Sequence, residues 1–382
     1  MKVCRPEKFL RPVIAQRIVE NQKGQKLAGR SFMSVRKEAF GMMPDGREII
    51  LYTIENENGV SASFTDLGAI WVRMMVPDRA GKLCDVLLGY DDGDGYLVNG
   101  PHMGSVVGRI ANRTGGAKFR IGEKEYCLEK NNGENNLHSG PDYFDKRLWA
   151  AKESGEDSIV FFLESPDGDQ GFPGNARISV KYTLNRENTV EITYLADCDQ
   201  DTPMNLTNHA YFNLGGQDSG SILNHKAQIN AEMFTPSAAD SVPTGEILLV
   251  EGTPMDFRKP KTIGEEIDSD FVQLVQAKGY DHNWCLSHVP GVYSFAASVY
   301  DPESGRAMDV YTDLPGVQFY TANWLNSEKG KGKAVYESRN AYCFETQMYP
   351  DAVNKPQFAS PVIKAGSAYV TRTGYHFYCT GK

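Results

Sequence analysis

A single histidine near the middle of the chain is surrounded by residue types that suit proton transfer. His209 stands in the run TPMNLTNHAYFNLGG (202–216), among amides, hydroxyls and aromatic rings. No cysteine or second histidine lies close enough in the sequence to suggest a local metal site. A buried neutral histidine can donate or accept a proton near pH 7. The run therefore indicates a general acid or base.

A carboxylate far downstream is a candidate partner for this histidine. Glu345 lies in the apolar run CFETQ (343–347), and strand interiors usually exclude glutamate. A glutamate there is solvated on an outer face, paired, or functional. Desolvation would raise its pKa and bring it closer to the value that suits a base. An acid and a base on opposite sides of a small sugar suffice to open and close a hemiacetal ring, and that reaction needs no cofactor.

Two arginines four residues apart form a second polar motif. Arg109 and Arg113 flank Asn112 in GRIANR (108–113). Arginine presents a rigid fork of donors to oxygen atoms. The sequence leaves two interpretations open, in which such an arginine binds sugar hydroxyls or is clamped on backbone carbonyls.

Two further segments combine polar and aromatic residues. His138 ends the polar loop NNGENNLHSG (131–140), which is either part of a site or a solvated turn. Asp281 precedes a histidine and a tryptophan in YDHNW (280–284), and carboxylates and aromatic faces are common sugar contacts. Asp281 and His282 are also a possible metal pair, but no further ligand stands at a suitable spacing. We therefore expect no metal.

The composition excludes several classes of partner. The chain has 382 residues, of which 41% are hydrophobic and 23% charged, and this is enough to bury a large core. Its net charge of −9 and its lack of a basic run argue against nucleic-acid binding, and favour a neutral substrate. No apolar run of 18 residues predicts a membrane span. Oligomeric state cannot be read from the sequence.

Cysteine usage bears on the compartment. The seven cysteines are scattered and include no C-x-x-C pair, which predicts free thiols in a reducing compartment. We expect a cytoplasmic protein, while an exported form with its leader removed stays open.

Hydrophobic periodicity predicts an all-β fold. Ile178–Leu184 alternates with period two, and Val190–Leu195 and Tyr369–Phe377 have strand composition. Further strands are predicted at 62–65, 72–76, 159–163, 295–300, 307–312 and 317–321, with a helix at most over 263–276. Dinucleotide and P-loop motifs are absent. One large antiparallel sandwich over residues 35–382 is the simplest interpretation, preceded by an N-terminal extension, residues 1–34, with a short helix at 13–21 or an extended arm.

An ordered set of motifs resembles the aldose 1-epimerase, or galactose mutarotase, family. The resemblance runs in unbroken order over roughly residues 35–382. Its segments are GRIANR (108–113), NNLHSG (135–140), FDKRLW (144–149), SPDGDQGFPGN (165–175), NLTNHAYFNLGG (205–216), FTPSAADSVPTGEI (234–247), GTPMDF (252–257), GYDHNWCL (279–286), GVQFYTANWL (316–325) and ETQMYPDAVN (345–354).

The resemblance implies a β-supersandwich of large antiparallel sheets with an open sugar cleft. It implies that His209 is the general acid toward the ring oxygen and that Glu345 is the general base toward the anomeric hydroxyl. The substrate would be a free aldohexose, with no metal, nucleotide or other cofactor. The implied substrate-binding residues are Asn112, Arg113, His138, Asp281 and Gln318. The preferred sugar cannot be read from these motifs.

One position departs from the family pattern. The family usually has two glycines after the histidine, where this chain has Ser139 and Gly140. A serine is costly there if the backbone needs a positive φ.

Three alternatives share the architecture. A hexose-6-phosphate 1-epimerase would need a cluster of basic side chains. A non-catalytic carbohydrate-binding domain would lack the acid or the base. A glycosidase would need two carboxylates at the scissile bond.

Overall fold

The structure is a computed structural model that describes residues 34–381. The predicted N-terminal extension, with its helix at 13–21, lies outside the described residues except for Ser34, which begins the first strand. The described residues belong to one compact unit. Within them, no helix is long and apolar enough to cross a membrane. That residues 35–382 form a single domain stays a prediction.

The first sheet is an antiparallel meander in which each strand pairs with the next in the chain. Its strands are β1 (Ser34–Met42), β2 (Glu48–Glu55), β3 (Ser61–Thr65), β4 (Trp71–Pro77) and β5 (Leu83–Asp85).

A nine-stranded antiparallel sheet forms the largest layer. In spatial order its strands are β11 (Ala150–Glu153), β12 (Ser158–Ser165), β13 (Ala176–Leu184), β14 (Thr189–Cys198), β29 (Tyr369–Cys379), β23 (Arg306–Thr312), β22 (Ser294–Tyr300), β17 (Lys226–Ile229) and β20 (Lys261–Thr262). Alternate residues of β13 and β14 are buried, as period-two patterning requires when one face packs on a core.

A third, five-stranded sheet carries part of the polar cleft. In spatial order its strands are β19 (Leu248–Leu249), β18 (Ala231–Thr235), β21 (Asp281–Leu286), β24 (Gly316–Tyr320) and β27 (Cys343–Gln347). Every residue of β21, β24 and β27 is buried or half-buried, with mostly polar residues on one face and mostly apolar residues on the other.

Short elements connect the three sheets. The two-stranded pairs are β6 (Val106–Val107) with β16 (Thr207–Asn208), β7 (Arg113–Thr114) with β10 (Asn136–Leu137), β8 (Lys118–Ile121) with β9 (Lys124–Cys127), β15 (Thr202–Pro203) with β28 (Val362–Ile363), and β25 (Glu328–Lys329) with β26 (Val335–Tyr336). The short α-helices are Gly93–Leu97 and Val272–Ala277, and single 3₁₀ turns lie at Gly115–Ala117, Phe144–Lys146, Asp169–Gly171, Lys331–Lys333 and Ala352–Asn354.

Aromatic side chains fill the space between the layers. Phe64 of the first sheet stacks on Tyr182 of the nine-stranded sheet, with ring centroids 4.1 Å apart. The nine-stranded sheet also contacts the third sheet, because the Tyr375 hydroxyl donates to the carbonyl of Phe344 at 2.8 Å. The nine-stranded sheet therefore packs against both five-stranded sheets, as the predicted sandwich requires.

The strand predictions are confirmed, and the helix prediction is too long. The segments predicted as strands coincide with β3, β4, β12, β13, β14, β22, β23, β24 and β29, with end differences of at most three residues. Only Val272–Ala277 is helical, while residues 263–271 form turns. That stretch contains Gly264 and the run Asp268–Asp270, whose side chains favour turns over a helix interior.

Candidate active site

Six of the seven residues assigned to the site from the sequence line one cavity of about 510 Å³. They come from segments that are far apart in the chain. These six residues are Asn112, Arg113, His138, His209, Asp281 and Glu345. The seventh, Gln318, does not line the cavity.

Strand alternation explains how a glutamate comes to stand in the apolar strand β27. Phe344 and Thr346 face the nine-stranded sheet, where they contact Tyr375 and Thr373. Glu345 and its neighbours Cys343 and Gln347 point to the opposite, polar face. Glu345 is therefore 2% exposed without standing in the apolar core.

His209 follows β16 and reaches Glu345 across the cavity floor. Its Nε2 lies 3.6 Å from the Glu345 Oε1. Its Nδ1 lies 3.5 Å from the Cys343 Sγ on the other edge of the ring, and the ring stacks on Tyr211 with centroids 5.1 Å apart. The backbone amide of His209 donates to the carbonyl of Ser105. These contacts fix the imidazole between its two partners.

Burial shifts the pKa values of the two groups in opposite directions, so that their usual order is reversed. It raises the pKa of Glu345 well above its usual value, and the neighbouring Asp281 carboxylate adds to the rise while Arg113 opposes it. Burial lowers the pKa of His209 to about 3, and His102 adds to this effect. Desolvation disfavours the charged form of each group. Burial therefore favours the neutral forms of both groups.

A short polar loop holds His138 against Asn112. The backbone amide of His138 donates to the carbonyl of Asn112, and the backbone amide of Asn112 donates to Nδ1 of His138 at 3.1 Å. Because Nδ1 accepts a hydrogen bond, the proton of the neutral ring lies on Nε2. Asn112 also accepts from the amide of Arg113, whose Nε donates to Asn132. His138 thus offers a donor to the cavity.

Asp281 and Gln318 form a hydrogen-bonded pair. The Gln318 Nε2 donates to the Asp281 Oδ1 at 2.7 Å, and its Oε1 accepts from Gln347 at 3.2 Å. The pairing of β21 with β24 brings the two side chains together. Gln318 is in position to orient the Asp281 carboxylate. A direct contact of Gln318 with a sugar stays a prediction.

The departure at Ser139 is compensated by hydrogen bonds. Ser139 has φ = +60°, the conformation in which a side chain is costly. Its hydroxyl donates to the carbonyl of Ile110 at 3.0 Å and accepts from the amide of the same residue at 2.9 Å. The serine therefore ties the His138 loop to the segment that carries Asn112.

The two arginines of GRIANR have different roles. Arg113 lines the cavity. Arg109 is fully buried and donates to the carbonyls of Pro173, Ser165 and Gly174, and to further oxygens of that loop. Of the two interpretations left open by the sequence, the carbonyl clamp describes Arg109.

The cavity also brings together a set of atoms that metals use. Ligand atoms of His138, His209 and Glu345 lie within 4.8 Å of one another, and two histidines with a glutamate form a common zinc set. However, the hydrogen bond from Asn112 leaves Nε2 of His138 protonated. A protonated nitrogen cannot bind a metal, so this arrangement suits a hydroxyl oxygen better.

The sequence analysis missed three groups around the site. His102 lines the cavity and pairs with the buried Asp145. Cys343 was assigned no role in the site, but its Sγ contacts His209. Trp324 stands at the cavity wall, 55% exposed. The segments quoted in the sequence analysis contain Asp145, Cys343 and Trp324, but nothing in the local sequence indicates a role for His102.

Comparison with known proteins shows the family to which the chain belongs. The family model for aldose 1-epimerase matches residues 51–376. A galactose mutarotase of Mus musculus is 41% identical over 346 residues, which cover 90% of this chain and 99% of the relative. An aldose 1-epimerase of Escherichia coli K12 is 34% identical over 342 residues, covering 89% of this chain and 98% of the relative.

A solved structure extends the agreement to the fold. The crystal structure of an aldose epimerase homologue from C. elegans superposes with a TM-score of 0.79 at 28% identity, covering 90% of this chain and 100% of that chain. The fold is therefore that of the galactose mutarotase-like proteins, as the resemblance implied. The family match, the close relatives and the shared fold together place this chain in the aldose 1-epimerase family.

Proposed function

We propose that this protein interconverts the α and β anomers of a free aldohexose by proton transfer through Glu345 and His209. Aldose anomer interconversion is the reaction of its family, and a sugar is the small molecule on which it acts. The observation that supports the residue assignment is the placement of Glu345 and His209, 3.6 Å apart, in the wall of one cavity.

The proposed reaction opens and closes the sugar ring. The Glu345 carboxylate takes the proton of the anomeric hydroxyl while protonated His209 donates a proton to the ring oxygen. The bond between C1 and the ring oxygen breaks, and a free aldehyde forms. Rotation about C1–C2 presents the other carbonyl face. Reclosure with both proton transfers reversed gives the other anomer and restores the two side chains.

Burial disfavours the charged pair that starts the reaction and favours the neutral pair that ring opening leaves. Before ring opening the pair is a carboxylate and an imidazolium, and after it both groups are neutral. A buried site disfavours charged forms, and the opposite pKa shifts of Glu345 and His209 have this cause. Ring opening therefore discharges a desolvated ion pair, which lowers the free energy of the open-chain state relative to the closed one.

Other polar groups are in position to hold the sugar. We propose that Arg113, Asp281 and His138 bind hydroxyls, with Asn112 holding the His138 ring and Gln318 orienting Asp281. The cavity contains both donors and a carboxylate acceptor, as a polyhydroxyl ligand requires.

The charges of the cavity favour a free sugar over a phosphorylated one. Among the described residues that line it, Arg113 is the one lysine or arginine, while Asp240, Asp281 and Glu345 are acidic. A phosphate group would need several basic donors. The presence of both an acid and a base argues against a purely binding domain.

Replacement of Glu345 by glutamine tests the proposal. A positioned proton-transfer group contributes about 10²–10⁴-fold to a rate, so Glu345→Gln should lower kcat at least ~100-fold with little change in KM. Polarimetry on freshly dissolved α-D-galactose, with wild type, variant and no protein, measures this. If the wild type and the variant were equally active, the assignment of Glu345 as the base would be wrong. If the wild type accelerated mutarotation of neither galactose nor glucose, the proposed function would be wrong.

We also propose a cytoplasmic location. It is supported by the six described cysteines, which are all free thiols, because thiols persist in reducing compartments.

A further inference from the structure

A third imidazole lines the cavity beside the two that the sequence identified. His102 lies in a turn before β6 with φ = +60°, and its side chain is 13% exposed. Its ring contacts the edge of His138, with centroids 5.6 Å apart, and that of Tyr143 at 4.4 Å. A left-handed backbone at a non-glycine residue is strained and persists when the surroundings fix it.

A buried carboxylate fixes the ring of His102. Its Nδ1 lies 3.1 Å from the Oδ2 of Asp145, which is 1% exposed. The same oxygen accepts from the Ser105 hydroxyl at 3.0 Å, and Lys146 Nζ lies 3.9 Å away. Burial alone would raise the pKa of Asp145, but its hydrogen bonds with His102 and Ser105 help to hold it below the usual value. An ionised carboxylate only accepts, so Nδ1 carries the proton.

The remaining nitrogen of His102 is an acceptor. With the proton of the neutral ring on Nδ1, the lone pair lies on Nε2, on the edge of the ring away from Asp145. His138 has the opposite polarity, because Asn112 donates to its Nδ1 and leaves a proton on Nε2. Two adjacent imidazoles therefore offer one acceptor and one donor. A sugar hydroxyl can donate and accept at once and matches this pair.

We propose that His102, oriented by Asp145, is a substrate-binding residue that accepts a hydrogen bond from a sugar hydroxyl away from C1. The inference rests on the proposed function, since it assumes a sugar in this cavity. The ring of His138 contacts those of both His209 and His102, with centroids 5.4 and 5.6 Å away. The ring contacts described for His102 are with His138 and Tyr143 rather than with the proposed acid His209, so we assign His102 to binding rather than to proton transfer.

A cycle between a His102 variant and deoxygenated sugars tests this contact. His102→Phe keeps a ring of similar size but removes the acceptor. Loss of one hydrogen bond to substrate costs about tenfold in binding, so kcat/KM for galactose should fall about tenfold, mainly through KM. The same variant is then measured on 2-, 3-, 4- and 6-deoxygalactose. The sugar that lacks the contacted hydroxyl should lose less than about twofold.

Matched variants separate a contact from a structural effect. Asp145→Asn keeps an oxygen acceptor but removes the charge, and it should show a smaller coupling to the same deoxy sugar. His376→Phe changes a histidine on β29 outside the cavity, and it should leave all five sugars unaffected. Thermal unfolding of each variant checks that it is folded.

The outcomes distinguish this inference from the proposed function. Coupling of His102→Phe to one deoxy sugar supports the contact. Equal loss of kcat/KM for every sugar, or no loss at all, overturns it while mutarotation by the wild type still supports the function. Failure of the wild type to turn over galactose or glucose overturns both.

Discussion

At the scale of single residues, Cys343 is in position to assist His209 in the proposed mechanism. The proposed acid needs Nδ1 to keep its proton while Nε2 exchanges one with the sugar. The Cys343 Sγ lies 3.5 Å from this Nδ1 and can accept its hydrogen bond. Burial raises the pKa of the Cys343 thiol, and the Glu345 and Asp281 carboxylates add to this. The group therefore stays a neutral thiol, which does not trap the imidazolium.

Replacement of Cys343 should affect turnover more than binding. Cys343→Ala leaves Nδ1 without a partner, and the loss of about one hydrogen bond predicts a kcat about fivefold lower with KM unchanged. Cys343→Ser keeps an acceptor and should stay within about twofold of wild type. Cys285→Ala is the control. Cys285 is also a buried thiol, but it lies in β21 and is not a partner of His209. Equal losses in Cys343→Ala and Cys285→Ala would contradict the assignment.

At the scale of elements, Arg109 joins the loop that carries the site residues to a second loop. Its guanidinium donates to the carbonyls of Ser165, Pro173 and Gly174 and to the Ser165 hydroxyl. Asn112 and Arg113 follow within four residues. These carbonyls have no water to replace the lost donors if Arg109 is removed, because Arg109 is fully buried. Breaking such a network is strongly destabilising.

Arg109→Met should therefore lower the free energy of unfolding by about 3 kcal/mol. The expected KM for galactose also rises, since Asn112 and Arg113 lose their support. Urea unfolding and polarimetry measure the two effects. Arg177→Met is the control, because Arg177 makes an exposed pair with Asp197, and such pairs contribute about 0–1 kcal/mol. Similar unfolding free energies for the two variants would refute the clamp.

At the scale of the whole molecule, buried histidines should make stability depend on pH. Burial lowers the pKa of His225 and of His282 to about 4, and that of His209 to about 3. Below pH 6.5 the unfolded chain protonates these groups while the folded protein does not, so stability is lost as the pH falls from 6.5 toward 4. Asp66 opposes this, because burial raises its pKa to about 6 and its folded form binds a proton first.

The free energy of unfolding should fall between pH 6.5 and 4.5. Each uncompensated proton contributes about 1.4 kcal/mol per pH unit. Among the described residues, the histidines whose pKa is lowered outnumber the carboxyls whose pKa is raised; the histidines are His138, His209, His225, His282 and His288, and the carboxyls are Asp66, Asp309, Asp313 and Glu345. Urea unfolding at several pH values measures the slope. His225→Gln removes one of these groups and should reduce the slope by about 1.4 kcal/mol per pH unit. A slope equal to that of the wild type would show that His225 does not titrate on unfolding.

The sequence by itself determined the local structure and the reaction class. Period-two alternation predicted most of the long strands, such as β13 and β14, because side-chain direction in a strand depends only on neighbouring positions. The ordered motifs predicted the family, the acid His209 and the base Glu345. The helix prediction was wrong over residues 263–271, because polar residues and a glycine in this stretch favour turns over a helix.

Only the tertiary structure decided which of these residues meet, and how. Strand register and loop packing between distant segments set the distance from His209 to Glu345. They also bring Gln318 to Asp281, and they give Arg109 and Arg113 different contacts. The same holds for His102, which lines the cavity and contacts Asp145, 43 residues away in the chain. Local sequence patterns carry no information on such long-range contacts, because the hydrogen-bond partners are chosen by the packed sheets.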